Sequence, residues 1–452
     1  MVMEPPVREG DVLSVVIDNV AFGGEGVARH EGFVLFVPFT VPGERVRCRV
    51  TEVRRGFGRA ELLEVEEPSP HRVRPRCPVF YTCGGCQLQH IAYDEQLRLK
   101  RRLVFDALER IGRLRGVEVE PVVPTRPWYY RNKSAFPLAQ EGGRVIAGYY
   151  APGTHDVVDT DQCYIQHRTN NLIMREAKRL VQELGIEVYR EDTRRGVIRH
   201  LVCRVSEKTA EALVTVVVTS RYFPGKDDLI RQLTEAVPDL ASVYLNVNTS
   251  EDNVILGDEY LHVHGSPRIR EELLGLSFEL GPASFFQVNP TATELVYETV
   301  LDLVRPRRHE VVLDLYCGIG TIGLSLAGYC HRVVGVESVP PAVEDARSNA
   351  ARNEVENASF LRATAEDALE DLGFRPDVVV LDPPRRGLTR RVVDALTALA
   401  PDRIFYVSCN PVTLARDLAQ LCRAGYTLGP VRPVDMFPQT YHVECVVLLE
   451  KR

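Results

Sequence analysis

Short apolar runs alternating with helical patterns through the last third of the chain constrain its fold more than any other feature. The runs are Val311-Val312-Leu313-Asp314-Leu315, Val333-Val334-Gly335-Val336-Glu337, Val378-Val379-Val380-Leu381-Asp382 and Arg403-Ile404-Phe405-Tyr406-Val407-Ser408. Short buried strands separated by helices build a doubly wound parallel sheet. The expected class is α/β, with a C-terminal Rossmann-like domain. Upstream the pattern changes. Residues 8–65 hold short alternating runs punctuated by Gly23-Gly24-Glu25-Gly26 and Pro42-Gly43, which suits a small OB-like β-barrel. A helical pattern covers residues 94–111. Residues 130–280 mix strands with helices at 170–184 and 227–236, as in an α+β middle domain. At 452 residues the chain is too long for one core, so two or three domains are expected.

Composition excludes several classes. Hydrophobic residues make up 45% and charged residues 26%, as in ordinary globular proteins. No uninterrupted apolar run reaches roughly 18 residues, the length of a membrane span. The start, Met1-Val2-Met3-Glu4-Pro5-Pro6, has no basic stretch leading into an apolar one, so no signal peptide is expected and the cytoplasm is the expected compartment. Eleven cysteines at irregular spacing do not read as a secreted disulfide framework. The formal charge of -7 gives no global sign of a nucleic-acid partner, yet residues 71–135 carry 13 Lys and Arg against 6 Asp and Glu. That excess fits either phosphates meeting one face or a solvated basic helix.

Cys77, Cys83 and Cys86 share a Gly-containing loop, and Cys163 stands apart in Asp161-Gln162-Cys163-Tyr164. In a reducing compartment such thiols suggest a metal, and four thiolates suit either tetrahedral zinc or a [4Fe–4S] cluster. Pro127-Trp128-Tyr129-Tyr130-Arg131-Asn132-Lys133 interleaves aromatics with cations. It suits base stacking and phosphate contact as well as it suits a buried aromatic strand.

The loop Asp314-Leu315-Tyr316-Cys317-Gly318-Ile319-Gly320-Thr321-Ile322-Gly323 follows one expected strand and opens a helix. Glycines there let the backbone approach a ligand with no Cβ in the way. Glu337 ends the next strand, at the spacing where a carboxylate accepts hydrogen bonds from ribose hydroxyls. Gly318, Gly320 and Gly323 also fit the dinucleotide fingerprint, which keeps a nicotinamide-dependent oxidoreductase in contention. Asp314 weighs against it, because a carboxylate suits a sulfonium cofactor and repels a pyrophosphate. So do Asp382-Pro383-Pro384-Arg385 and Ser408-Cys409-Asn410-Pro411, two strand-end motifs with no evident part in hydride transfer.

Cys409, at a strand end beside a helix start, is placed for a lowered pKa and for attack as a thiolate. Taken alone it could equally be a core residue. Glu444, in Tyr441-His442-Val443-Glu444-Cys445, is a base candidate if it projects into the crevice, where burial raises its pKa. On the solvated face of an edge strand it would have no such part. A thiol and a carboxylate suit methylation of C5 of a uracil. That carbon is a poor nucleophile until a thiolate adds to C6, and a base must then remove the C5 proton to expel the thiolate.

The glycine loop, Asp382-Pro383-Pro384-Arg385, Ser408-Cys409-Asn410-Pro411 and His442-Val443-Glu444 together resemble the RNA uracil-5-methyltransferases of bacterial tRNA and 23S rRNA. The resemblance runs over nearly the whole chain. It implies S-adenosylmethionine as methyl donor, Cys409 as nucleophile and Glu444 as the proton-removing base. Phe286-Gln287-Val288-Asn289 matches the family's cofactor-side motif, so Gln287, Tyr316, Glu337 and Asp382 are implied as cofactor-binding positions. An N-terminal TRAM barrel is implied at residues 1–70, and a central domain at 71–92 and 125–280. A class I methyltransferase domain is implied at 93–124 and 281–452. Members of the rRNA type carry a [4Fe–4S] cluster with this cysteine spacing, which implies Cys77, Cys83, Cys86 and Cys163 as its ligands and leans toward 23S rRNA, with tRNA the alternative. Enzymes that make 5-methylcytosine carry a cysteine in the motif where this chain has Asp382-Pro383-Pro384, which favours uracil. A monomer is expected, with a flipped target uridine in the crevice and Phe285 and Phe286 as candidate walls. A non-catalytic RNA-binding iron–sulfur protein on the same scaffold is the other reading, and the intact Cys409, Glu444 and glycine loop argue against it.

Overall fold

The structure, a computed structural model, describes residues 5–452. Met1 to Glu4, on which the reading of the chain start partly rests, lie outside the described residues. Five strands, Val12–Val20, Gly26–His30, Phe33–Val37, Arg45–Val53 and Phe57–Glu67, close into a barrel. Alternation drives the closure. Val46, Cys48 and Val50 point inward with Val15, Ile17, Leu35 and Val37. On the outer face Arg45, Arg47 and Arg49 pair with Glu67, Glu64 and Glu61 of the neighbouring strand.

The middle of the chain forms a seven-stranded sheet in the order Glu259–Gly265, Leu240–Val247, Ala212–Val218, Ile198–Val205, Lys133–Glu141, Arg144–Tyr150 and Val157–Asp159. Ala212–Val218 and Leu240–Val247 pair in parallel, joined by the helix Lys226–Ala236. That helix and Arg168–Glu183 cover one face, burying Ile173, Leu180, Leu229 and Leu233 against Phe136 and Val216. The hairpin of Ile269–Leu273 and Leu276–Leu280 follows. Its Ile269, Leu273, Phe278 and Leu280 pack with Val312 and Val333 of the next domain and Leu213 and Tyr244 of the central sheet. Its Glu271 and Arg270 bond Ser206 and Glu211 of the central domain, so the hairpin lies where the two domains meet.

The last domain is built on an eight-stranded sheet. Its order is Ala358–Arg362, Arg332–Glu337, Val311–Leu315, Val378–Leu381, Arg403–Ser408, Glu444–Lys451 and Tyr426–Leu428, with Arg432–Val434 also paired to Glu444–Lys451. The first five strands are parallel, and their carboxyl ends open on one side. Glu444–Lys451 runs antiparallel to Arg403–Ser408 and has neighbours on both sides, so it is not an edge. The helix Tyr93–Ala107 and the π-helical turn Leu108–Gly112 pack on this domain through Val104 and Leu108. Gly112 lies so close to the helix Pro411–Arg423 that a Cβ would sit 2.8 Å from the Ala415 carbonyl oxygen.

Part of the basic excess around this helix is tied up within the protein, while Arg110, Arg113 and Arg115 stay exposed. Lys100 is buried on Asp435, Arg101 donates to the Val119 carbonyl, and Arg98 and Arg102 pair with Glu95 and Asp106. Among the described residues no helix is long and apolar enough to cross a membrane.

Candidate active site

The parallel strands deliver their carboxyl ends to a cleft of about 1180 Å³ lined by Gln287, Tyr316, Glu337, Asp382, Cys409 and Glu444, six residues singled out by the sequence. Such crevices are where open α/β sheets hold ligands. The glycine loop has a structural reason for each carboxylate beside it. The Gly323 N–H donates to Asp314 Oδ2 at 2.8 Å, and a Cβ on Gly323 would sit 2.9 Å from that oxygen. Gly320 has φ +85°, a backbone that side-chain-bearing residues rarely adopt. Asp314 does not line the cleft, contrary to its expected place opposite a sulfonium. It lies beneath the loop with Oδ1 buried and unpartnered, and burial pushes it up to about 7. Glu337 does face the cleft. Its oxygens accept from the Gly318 N–H at 3.2 Å and the Val339 N–H at 2.8 Å, leaving lone pairs free for a ligand.

Cys409 follows the strand Arg403–Ser408 and precedes the helix Pro411–Arg423, whose cap is the Asn410 side chain accepting from the Val412 N–H at 3.1 Å. Asn410 Nδ2 and Thr413 Oγ1 both donate to the Arg385 carbonyl, which ties the two strand-end motifs together. Arg385 directs its guanidinium at His442, donating to Nε2 at 3.1 Å. Burial and the neighbouring Arg385 push His442 down to about 3, so the ring is neutral and can accept. The expected lowering of the Cys409 pKa is not found. Burial, then Glu444, push the thiol up to about 11, and Arg385 offsets only part of this. Glu444 is 4% exposed rather than solvated, and burial beside Asp382 holds it well above the carboxylate range. Asp382 is pushed up to about 7 by the same exclusion of water.

Cys77, Cys83, Cys86 and Cys163 line a second cavity of about 300 Å³, which shares Gly85 and Arg131 with the first cleft. Donors approach the sulfurs: the Gly85 N–H reaches Cys83 at 3.4 Å, and the Ile165 and Gln166 N–H groups approach Cys163. Burial pushes all four thiols up, Cys163 to about 12. Among the described residues no three His, Cys, Asp or Glu side chains are close enough to hold a metal ion in common.

The aromatic run divides. Tyr130 is buried, its hydroxyl donating to the Pro438 carbonyl at 3.0 Å. Trp128 and Tyr129 stay half-buried around the guanidinium of Arg76, at 5.5 and 5.3 Å from the ring centres. Of the candidate walls, Phe286 is core, against Phe278, whereas Phe285 is 63% exposed and lines the cleft. The sequence reading gave no role to His442 and missed its bond to Arg385 and the Lys100–Asp435 pair. His442 lay inside a motif already singled out, so its position was the available signal.

The strand order, the glycine loop and a carboxylate-lined cleft at the strand ends are those of a class I methyltransferase. Residues 92–452 match the family model described as tRNA (Uracil-5-)-methyltransferase, and residues 6–63 match the TRAM domain. An uncharacterised RNA methyltransferase of Halalkalibacterium halodurans is 42% identical over 451 residues, 99% of this chain and 98% of that protein. Another, from Caldanaerobacter subterraneus subsp. tengcongensis, is 41% identical over 448 residues, 98% of this chain and 99% of that protein. The crystal structure of Pyrococcus abyssi tRNA (uracil-54, C5)-methyltransferase with S-adenosyl-L-homocysteine superposes with a TM-score of 0.78 at 31% identity, covering 97% of this chain and 100% of that one. The chain belongs to the RNA uracil-5-methyltransferase family, enzymes dependent on S-adenosylmethionine.

Proposed function

We propose that this enzyme methylates C5 of a uridine in 23S rRNA through covalent addition of Cys409 to C6. The observation that carries the methyl-transfer chemistry is the meeting of Cys409, Glu444, Asp382 and Arg385 on one cleft with the glycine loop. The choice of rRNA rests on the spacing of Cys77, Cys83, Cys86 and Cys163. S-adenosylmethionine, when bound, supplies the electrophilic methyl group that C5 takes. The residues fit it: a buried carboxyl at Asp382 suits a cation, Glu337 has lone pairs for ribose hydroxyls, and Gln287 and Tyr316 complete the wall. Cys409 gives its thiol proton to solvent and adds as a thiolate to C6, and the C5–C6 π pair shifts onto the C4 carbonyl as an enolate, which makes C5 nucleophilic. Arg385 beside the sulfur favours that thiolate, and neutral His442 holds Arg385 in place. Glu444, once ionised, takes the C5 proton, and the C6–sulfur bond breaks to return the thiolate. Its raised pKa makes it a stronger base than a solvated carboxylate.

The four cysteines are the proposed ligands of a [4Fe–4S] cluster. They rim a cavity rather than converge on a point, which suits a group wider than one ion, and N–H donors to sulfur are a usual means of tuning such clusters. Methyl transfer needs no redox step, so such a cluster would serve to hold the Cys77–Cys86 loop beside the cleft, with which it shares Gly85 and Arg131.

The test is a 23S rRNA transcript containing 5-fluorouridine, which has no C5 proton to lose. With S-adenosylmethionine the protein should stay bound to it through denaturation, and Cys409→Ala should not. Glu444→Gln should trap the same adduct on ordinary uridine RNA. A tRNA transcript captured in place of the rRNA would move the substrate assignment, and capture by Cys409→Ala would overturn the nucleophile.

A further inference from the structure

The mouth of the cleft carries an aromatic feature that the methyl transfer does not use. Phe22 sits in the turn between the first two barrel strands and is 40% exposed. Its ring meets Tyr441 edge-on, with centres 5.0 Å apart, and Tyr441 lies tilted on His442 at 4.1 Å. Tyr441 and His442 line the cleft that holds Cys409 and Glu444. Phe22 is thus the outermost ring of a row that leads from the barrel into the cleft.

The turn is built to hold it there. Ala21 N–H donates to the Glu25 carbonyl at 2.8 Å and Gly24 N–H to the Ala21 carbonyl at 2.9 Å. Gly24 has φ +89°, and a Cβ on it would sit 2.6 Å from Gln87 Cβ. Gln87 in turn donates its N–H to the Gln439 carbonyl at 3.1 Å, just ahead of Tyr441. The barrel, the cysteine loop and the segment that leads to Glu444 therefore meet at one point.

A uridine that enters the cleft leaves its stack, and the next base loses a stacking partner. Aromatic rings replace such a partner whatever the base, because every base has a π-face. We propose that Phe22 and Tyr441 form a stacking site for the nucleobase adjacent to the target uridine. The barrel would then fix where the RNA strand turns into the cleft. This inference rests on the RNA reading of the proposed function.

The experiment titrates the full-length protein into a short single-stranded RNA with one central uridine and 2-aminopurine, a fluorescent purine, at either neighbouring position. Wild type should bind and quench the fluorophore at one of the two positions. Phe22→Ala should bind about 5- to 100-fold more weakly and lose that quenching, and Phe22→Trp should restore both. An abasic site at that position should weaken wild type by the same factor and leave Phe22→Ala unchanged. Wild-type affinity and quenching in Phe22→Ala would overturn the site. So would additive losses with the abasic RNA, which mark a purely structural ring, or no binding of this RNA by wild type. Failure of the proposed function reads differently: binding and quenching persist while wild type releases no tritium from uridine labelled at C5.

Discussion

At the residue scale, Asp382 and Glu444 are decided by exclusion of water. Burial pushes Asp382 up to about 7, and burial together with the neighbouring Asp382 holds Glu444 well above the carboxylate range. A sulfonium cation favours ionised Asp382, so binding it below the Asp382 pKa must release a proton. S-adenosylmethionine affinity, read by calorimetry, should therefore weaken by up to about tenfold per pH unit below 7 and level off above it. Asp382→Asn should bind weakly with a flatter profile, and a wild-type constant independent of pH would contradict the linkage. The place of Cys409 was legible in the sequence, because a strand end before an Asn-Pro helix start is a local signal. Its pKa was not. The groups that raise it sit on Glu444–Lys451 and the loop after Val378–Leu381, brought there by the sheet alone.

At the scale of elements, four strands of the last sheet (Val311–Leu315, Arg332–Glu337, Val378–Leu381 and Arg403–Ser408) were readable because each is a mostly buried apolar run. Ala358–Arg362, with one buried residue in five, gave no such signal. The standing of Glu444–Lys451 was not readable from its own residues, since its partners Arg403–Ser408 and Tyr426–Leu428 decide whether it is an edge. The place of the hairpin of Ile269–Leu273 and Leu276–Leu280, which packs against both domains, was unreadable for a related reason. Alternation says that one face is buried, and never against which domain. The helix expected over 94–111 ends regularly at Ala107 and finishes in a π-helical turn, where Gly112 meets the helix after Cys409. The cysteine loop gives the prediction of this scale. Protein purified without oxygen should carry about four irons and matching sulfide, with a broad visible absorption. Cys86→Ser should lose the iron, and one bound zinc with no iron in wild type would refute the cluster.

At the scale of the molecule, one buried ion pair ties the helix Tyr93–Ala107 to the end of the chain. Lys100 Nζ meets Asp435 Oδ1 at 2.5 Å and the Phe437 carbonyl at 3.0 Å, across 335 residues of sequence, with both side chains wholly buried. Gln96 extends the tie, donating to Gln439 Oε1 and accepting from the Gln439 N–H. The segment held this way runs straight into Tyr441, His442 and Glu444. Removing one member leaves the other charge buried and alone, at a cost of about 3–5 kcal/mol, whereas replacing both by apolar residues of similar size is often neutral or better. Lys100→Met should therefore lower the urea midpoint markedly, and Lys100→Met combined with Asp435→Leu should recover most of it. Activity should not recover in step. The apolar pair restores packing but not the bond to the Phe437 carbonyl that sets the path of the segment toward His442. Methyl transfer assayed on the double variant tests this, and full activity there would show that the pair serves stability alone.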